Sequence, residues 1–514
     1  MSVSAELRQE NHDLRNRNKI LSRQNAAQAA KIEQLTLELM LALHRMWGRS
    51  AEKFEPQGPL LFDEPTEAPA LAKEPVAEEE KKPSNRGRKP LSARLVRKHH
   101  LHDLAEADRI CRCGKCMVKI GQDTCEKLNI VPAQIWVDCH HYSKYACPDA
   151  TCPYSGDESQ PGVLTAPGPL PLIPRSIVTA ALLAHIWIAK FCDHLPFYRQ
   201  EAGFRRIEAN VSNQDMGSWT QKVTNQLEPL IGLIEQGIRE GPVILMDETP
   251  VTVLKLERTG KTGQGYMWLA RGGPPERPAV RYRFASGRGN EHAKAFLGNF
   301  QGWLQTDGWG AYDTALAGSS AVVHVGCWAH VRRKFFEADK VSSSPLTRDA
   351  LGRIKKLYKL EDQSRVEAKQ ENLTEDEFLK RRKGLLEPHL KDLRKWIDQT
   401  AAETLPSGPA GKALAYTVGQ WDKLERFLEH PWLTPDNNRA ENGIRPFVVG
   451  RKNWLFHGND SGAEASCVVY TLIETAKLNG KEPWDYLNQV LERLPAVRLS
   501  DDWESLLPWN LATA

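Results

Sequence analysis

Two apolar runs in the middle of the chain end in aspartate. Val243-Ile-Leu-Met-Asp247 and Trp303-Leu-Gln-Thr-Asp307 each have the length and composition of a buried strand, and each ends in a carboxylate. Two carboxylates held side by side repel unless a cation lies between them, and oxygen donors favour the hard ions Mg²⁺ or Mn²⁺. Two such ions about 3.5–4 Å apart activate an attacking oxygen and stabilise a leaving one in phosphodiester chemistry. A third carboxylate is expected from a later helix. In Asp436-Asn-Asn-Arg-Ala-Glu441, Glu441 falls at the third helical position if Asn438 caps a helix. The same spacing fits a capping box in which Glu441 only ties back to the cap. Spacing alone leaves both roles open. The nearby decoys are Glu248, which faces the opposite side of the strand from Asp247, and Asp313, which lies beyond the strand end.

Cysteine supplies a second chemistry. Seven of the ten Cys lie between Cys111 and Cys152, in a chain whose N-terminus is too polar for an export signal. Such clustering predicts a structural zinc site rather than disulfides. Cys113-Gly-Lys-Cys116 can aim two thiolates at one ion, Cys147 and Cys152 can supply the other pair, and Cys111 is a further candidate in the first knuckle. Residues from Gln122 to Tyr145, around Ile135-Trp-Val137, alternate as a small sheet would.

The elements that must position these groups follow from periodicity. Leu7, Leu14, Leu21, Gln28 and Leu35 form one column of a heptad repeat; Asn11, Asn18, Asn25, Ile32 and Leu39 form the other. Residues 1–50 are thus expected to form a coiled coil giving a homodimer or higher oligomer, with Asn at a positions fixing register. Residues 51–84 are Pro-, Ala- and Glu-rich and read as a disordered linker. The following run, with Arg86, Arg88 and Lys89 before Pro90, suits an arm lying in an A·T-rich minor groove. It opens the zinc module at 85–160. Residues 170–235 are helical, with Ser212 as an N-cap, and suit a helix-turn-helix-like DNA-binding region.

From 240 to 340 the order is strands over 243–247, 252–256, 266–270 and 280–285, a helix, a strand, a helix and a strand. That order fits a ribonuclease-H-like α/β catalytic core, with one short strand too many before the first helix. Its first and fourth strands are neighbours, which would set Asp247 beside Asp307. Residues 341–433 read as a helical insertion, 434–480 as the second part of the core with the third carboxylate, and 481–514 as a C-terminal tail. The whole is a multidomain α+β chain of 514 residues. Its 41% hydrophobic content and 15 Trp suffice for several cores. A net charge of +4 neither demands nor excludes nucleic acid. No run of about 18 apolar residues predicts a membrane span, and a cytoplasmic location is expected.

Longer motifs carry a resemblance. Asp436-Asn-Asn-Arg-Ala-Glu441 through Arg445-Pro446 and Gly450-Arg-Lys-Asn-Trp-Leu-Phe456 resemble the signature of the insertion-sequence-sixty-six family of transposases. Thr306-Asp-Gly-Trp-Gly-Ala-Tyr-Asp313, Cys327-Trp-Ala-His-Val-Arg-Arg-Lys-Phe335 and Leu195-Pro-Phe-Tyr-Arg-Gln200 resemble other family blocks, in the right order over nearly the whole chain. The resemblance implies an Asp-Asp-Glu triad of Asp247, Asp307 and Glu441. It also implies two catalytic Mg²⁺ or Mn²⁺ ions, structural Zn²⁺, double-stranded DNA as partner and small helper proteins. Arg439, Arg445, Arg451 and Lys452 are expected near DNA phosphates, with His330 and Arg333 at the scissile phosphate and Trp454 in support. Two features depart from the pattern. Asn442 follows the glutamate where a basic residue is usual, and four residues rather than two separate Cys147 from Cys152. The expected activity is cleavage at inverted-repeat ends followed by strand transfer. Its rivals are an inactive DNA-binding regulator and a nuclease of the same fold.

Overall fold

A computed structural model describes residues 134–146, 163–318 and 320–511. The heptad segment, the linker, Arg86, Arg88, Lys89, Cys111, Cys113, Cys116, Cys147 and Cys152 lie outside the described residues. The described chain falls into two units, one ending at Thr165 and the other beginning at Ala166. In the first, β1 (Lys144–Ala146) pairs antiparallel with β2 (Val163–Thr165). The strand expected around Ile135-Trp-Val137 does not form. Those three side chains are exposed, and among the described residues no strand lies beside them.

The second unit opens with four helices, α1 (Ala180–Phe191), α2 (Phe197–Arg206), α3 (Asn213–Gln226) and α4 (Glu228–Arg239). Ser212 caps α3 in a reciprocal capping box with Asp215, as its position predicts. Buried Trp187 of α1 donates its indole N–H to Thr220 of α3 at 3.0 Å, joining the two apolar stripes. The helix expected from Ile177 starts three residues later, where Thr179 caps it, and Ile177 is exposed.

A mixed sheet follows, made of β3 (Val243–Lys255), β4 (Gly263–Gly272), β5 (Ala279–Ala285), β6 (Gly302–Gln305), β7 (Val322–Val325) and β8 (Phe456–Asn459). The spatial order is β5-β4-β3-β6-β7, with β3, β4 and β5 antiparallel and β6 and β7 parallel to β3. Helices α5 (Asn290–Leu297) and α6 (Gly310–Leu316) separate β5, β6 and β7 along the chain. The two strands expected over 243–247 and 252–256 are one strand, β3, which removes the surplus strand. Pro250 suggests a break, yet it stays in register opposite Tyr266. On its other edge β3 pairs with β6 through Leu245 and with β8 from Thr252, so no ladder bond on that edge requires the missing N–H of Pro250.

Helix α7 (Trp328–Val341) leads into α8 (Pro345–Glu371), α9 (Glu375–Glu403) and α10 (Pro409–Glu425), the expected helical insertion. Its core holds a buried ion pair. Arg382 donates to both oxygens of Glu361, at 2.8 and 2.9 Å, and to the carbonyls of Phe427 and Leu433. The chain returns through α11 (Asn438–Trp454), β8, α12 (Asp460–Leu478) and α13 (Pro483–Ser500). Edge strand β5 is closed by α12. Thr471 accepts from the Tyr282 N–H at 2.9 Å, and Thr475 accepts from the Val280 N–H at 3.3 Å. Four helical residues rise about 6.0 Å and two strand residues about 6.6 Å, so the two periods match over this contact. The segment expected as a tail is a packed helix: Tyr486, Leu487, Val490, Leu491 and Leu494 of α13 are buried, and α13 packs on α1.

Glu361→Gln would leave Arg382 charged and half-paired in the core. The expected loss is about 3–5 kcal/mol of stability, read from denaturant midpoints. A loss within measurement error would show that the carbonyl partners alone hold Arg382.

Candidate active site

Asp247 and Asp307 come together through strand register. Val243 lies beside Trp303 and Leu245 beside Gln305, so continuing the parallel ladder by two residues brings Asp307 alongside Asp247. Asp247 lies within β3 rather than at its end. Asp307 sits in the turn after β6, where its Oδ1 accepts from the Trp309 N–H at 3.0 Å. Gly308 in this turn has no room for a Cβ, because Tyr416 of α10 lies against it. The insertion therefore forms part of the wall of the site.

Glu441 lies in the first turn of α11, and no capping box forms there. The cap is Asn437, without a side-chain cap bond, and the Glu441 carboxylate turns to α7. Arg333 Nη2 donates to Oε2 at 3.1 Å, and His330 Nδ1 lies 3.6 Å from Oε1. His330 and Arg333 are three residues apart and share a helix face. Both were expected to meet a phosphate; both meet Glu441.

Asn437 is the residue that sequence reasoning missed. Its Nδ2 donates to the Met246 carbonyl at 2.7 Å, one residue before Asp247, and its backbone N–H donates to Cys327 Sγ at 3.3 Å. At the far end of α11, Arg451 donates to Thr249 Oγ1 at 3.1 Å and to the Pro250 carbonyl. Between these points the Tyr282 hydroxyl donates to the Gly443 carbonyl. Arg451, expected at a DNA phosphate, turns its guanidinium to β3, where it meets Thr249 and the Pro250 carbonyl in the interval between β6 and β8. Trp454 packs against Phe447 of α11 and His457 of β8. Arg445 and Lys452 are exposed on the outer face of α11 together with Asn442 and Val449, while Ala440, Ile444, Phe447 and Gly450 are buried. The Arg439 backbone carbonyl accepts from Arg271.

The electrostatics separate Asp247 from the decoys. Burial pushes the Asp247 carboxyl up to about 8, helped by the carboxylates of Glu248, Glu441 and Asp307; one hydrogen bond from the Glu248 N–H, 2.9 Å, opposes this. Among the described residues no side chain hydrogen-bonds Asp247. Burial also raises Glu248, yet Glu248 is answered by the Tyr312 hydroxyl at 2.5 Å and by Arg288, whose guanidinium lies 3.9 Å from the centre of the Trp309 ring. Asp313 is held well below the usual carboxylate range, first by its hydrogen bond with His324 and then by Lys423. The decoys have their own partners. The charge around Asp247 is left uncompensated, and such a set of hard oxygen donors could hold a divalent cation. The three acids are not drawn to mutual ligand distance. Among the described residues, the ligand atoms that lie within 4.8 Å of one another belong to Cys327, His330 and Glu441.

A mixed sheet bearing adjacent aspartates, with a helical glutamate fastened to the same strand, defines a candidate acidic active site. The sequence pattern described as "Transposase IS66 family" matches residues 175–465, so the chain belongs to that family. The IS66 C-terminal element matches 471–509, and the zinc-finger binding domain of transposase IS66 matches 108–149, a span that includes Cys147 and stops short of Cys152. Two similar proteins come from Sinorhizobium fredii. Uncharacterized protein y4qI is 32% identical over 85% of this chain and 79% of its own length; y4jD is 31% identical over 78% of each. No helix of the described residues is long and apolar enough to cross a membrane.

The folded chain holds the Asp247 proton more tightly than the unfolded chain, about 8 against an ordinary 3.8. In metal-free protein, wild type should therefore lose stability relative to Asp247→Asn as pH rises from about 4 to about 8. Thermal unfolding of both proteins in chelator, across that window, measures the difference. A flat difference would mean that Asp247 does not sit among buried carboxylates.

Proposed function

We propose that this chain is a DNA transposase whose Asp247, Asp307 and Glu441 act together on phosphodiester bonds. The observation that carries this is the β3–β6 register beside a helix, α11, fastened at both ends to β3. The strand order and directions support a ribonuclease-H-like core for residues 240–340 and 434–480, interrupted by the 341–433 insertion. Mg²⁺ or Mn²⁺ held by the three carboxylates would supply an activated attacking oxygen and a stabilised leaving oxygen. The chain's own contribution is placement. Asn437 and Arg451 hold α11 against β3, the Asp307 turn is braced by Tyr416, and Glu248 is kept apart by Arg288 and Tyr312. Exposed Arg445 and Lys452, on the face of α11 just beyond Glu441, are suited to contact phosphates near the cut, with Arg439 at its first turn.

DNA ends would be recognised upstream. The basic arm with Arg86, Arg88 and Lys89, the zinc module and the helical region 170–235 are each proposed to contact DNA. In that region α3 offers an exposed polar face of Asn213, Gln214 and Lys222. Zinc would be held by cysteines among Cys111, Cys113, Cys116, Cys147 and Cys152, and the N-terminal heptads would pair two chains. The same site would cut at inverted-repeat ends and use the exposed 3′-hydroxyls to attack target DNA, with small helper proteins as partners.

Purified chain, labelled element ends and Mg²⁺ or Mn²⁺ test the proposal, with helper proteins added in a second arm. Wild type is expected to give cleaved and joined products, both lost in Asp247→Asn, Asp307→Asn and Glu441→Gln while end binding survives. Cleavage without joining would identify a nuclease, and binding without either would identify a regulator. Activity in Glu441→Gln would remove Glu441 from the triad. Asn437→Ala, which touches none of the reacting atoms, should lower the cleavage rate roughly a hundredfold through misplacement of Glu441, with end affinity unchanged.

A further inference from the structure

Among the described residues, those that approach ligand distance are of a different chemical kind from the acidic triad. Cys327, His330 and Glu441 bring one sulfur, one nitrogen and one oxygen within 4.8 Å of one another. His330 Nδ1 and Glu441 Oε1 are 3.6 Å apart, too far to hydrogen-bond, and both atoms are buried with no hydrogen-bond partner. Buried polar atoms left unpaired are costly, and here two point at the same place. Donors on a tetrahedral zinc ion, with bonds of about 2.0–2.3 Å, lie roughly 3.3–3.8 Å apart, so the nitrogen–oxygen edge already has the needed length.

Cys327 suits the third corner. It is buried at the N-cap of α7, and its sulfur accepts from the Asn437 N–H at 3.3 Å and from the backbone of His330. Backbone donors at a helix N-terminus stabilise a thiolate, the form that binds metal. Without an ion, burial keeps the group a thiol. Sulfur and imidazole select Zn²⁺-like ions and are poor ligands for Mg²⁺ or Mn²⁺, so the two ion classes would sort between the two donor sets. Glu441 is common to both. Its Oε1 lies beside His330 Nδ1, while Oε2 is held by Arg333.

We propose that Cys327, His330 and Glu441 form a separate site for a thiophilic divalent ion of the zinc class, and that its occupation withdraws Glu441 from Asp247 and Asp307. The inhibitory consequence rests on the transposase function proposed above; the ion site itself does not. Binding requires only that the Cys327 thiol lose its proton to solvent as the metal–sulfur bond forms, with no change of oxidation state. A zinc ion at low concentration is then an inhibitor of the Mg²⁺-dependent reaction.

The test uses the full chain with its cysteine module already loaded with Zn²⁺, titrated with Co²⁺. At low Co²⁺, wild type should develop a thiolate-to-cobalt charge-transfer band in the near ultraviolet. Cys327→Ser, which keeps an acceptor for the Asn437 N–H, should lose the band. His330→Gln and Glu441→Gln should keep the sulfur but weaken cobalt binding by at least about tenfold. An unchanged titration in His330→Gln and Glu441→Gln, or no band in wild type, would overturn the site even if Cys327→Ser failed to fold. In cleavage assays with Mg²⁺, low Zn²⁺ should inhibit wild type and spare Cys327→Ser; equal inhibition of both would overturn the withdrawal of Glu441. A chain that shows the band yet never cleaves DNA would sink the transposase function and leave the ion site standing.

Discussion

Strand β3 has a gap in its pairing on one edge, and the site depends on how that gap is filled. β6 leaves it after Leu245 and β8 joins it at Thr252. The buried Met246 carbonyl needs a donor and takes it from Asn437, while Arg451, at the other end of α11, donates to the buried Thr249 side chain and to the exposed Pro250 carbonyl. The same gap contains Asp247. A helix recruited to satisfy a strand edge therefore brings its own glutamate to that strand's aspartate, and backbone satisfaction and site assembly become one requirement.

The long excursion between Asp307 and Glu441 serves this arrangement. Its three helices are closed around Arg382 and Glu361, and Arg382 fastens the Leu433 carbonyl just before the chain re-enters the site. Gln305 Nε2 then donates to the Thr434 carbonyl at 2.7 Å, and the Trp328 N–H to the Pro435 carbonyl at 2.9 Å. By the time the chain reaches Asn437 its path is held by β6, α7 and the insertion together. Tyr416 reaches back from α10 to the Asp307 turn, where only glycine at 308 leaves it space. An insertion of this kind is a brace as much as an appendage.

Electrostatics explains why neighbouring acids take different roles. Glu248 and Asp313 each find a cation, Arg288 for one and Lys423 for the other, together with a neutral hydrogen-bond partner. Asp247 is half-buried among carboxylates and receives one backbone N–H. A desolvated acid without a cation keeps its proton or acquires a metal, and Asp247 is in that position. Glu441 stands between two environments, hard oxygens on one side and a thiol and imidazole on the other, with Arg333 holding one of its oxygens.

Local sequence determined much of this. Apolar runs marked the strands, Ser212 its helix, and the aspartates stood at positions where strand alternation and element order brought them together. The order of strands and helices from β3 to α7 was legible because each element buries its own periodic face, a property carried within five to fifteen residues. The family blocks were legible because they are contiguous. Tertiary structure alone decided the continuity of β3 through Pro250, since whether a proline breaks a strand depends on what the neighbouring edge requires. It alone decided that Asn437 is a cross-link, that Arg451 faces the sheet, and that Glu441 is no capping residue. It also packed the last helix into the body. Each of those outcomes turns on a partner that is distant along the chain, such as Met246 for Asn437 or Pro250 for Arg451. A hydrogen bond formed across that separation leaves no period or spacing in the residues on either side of it.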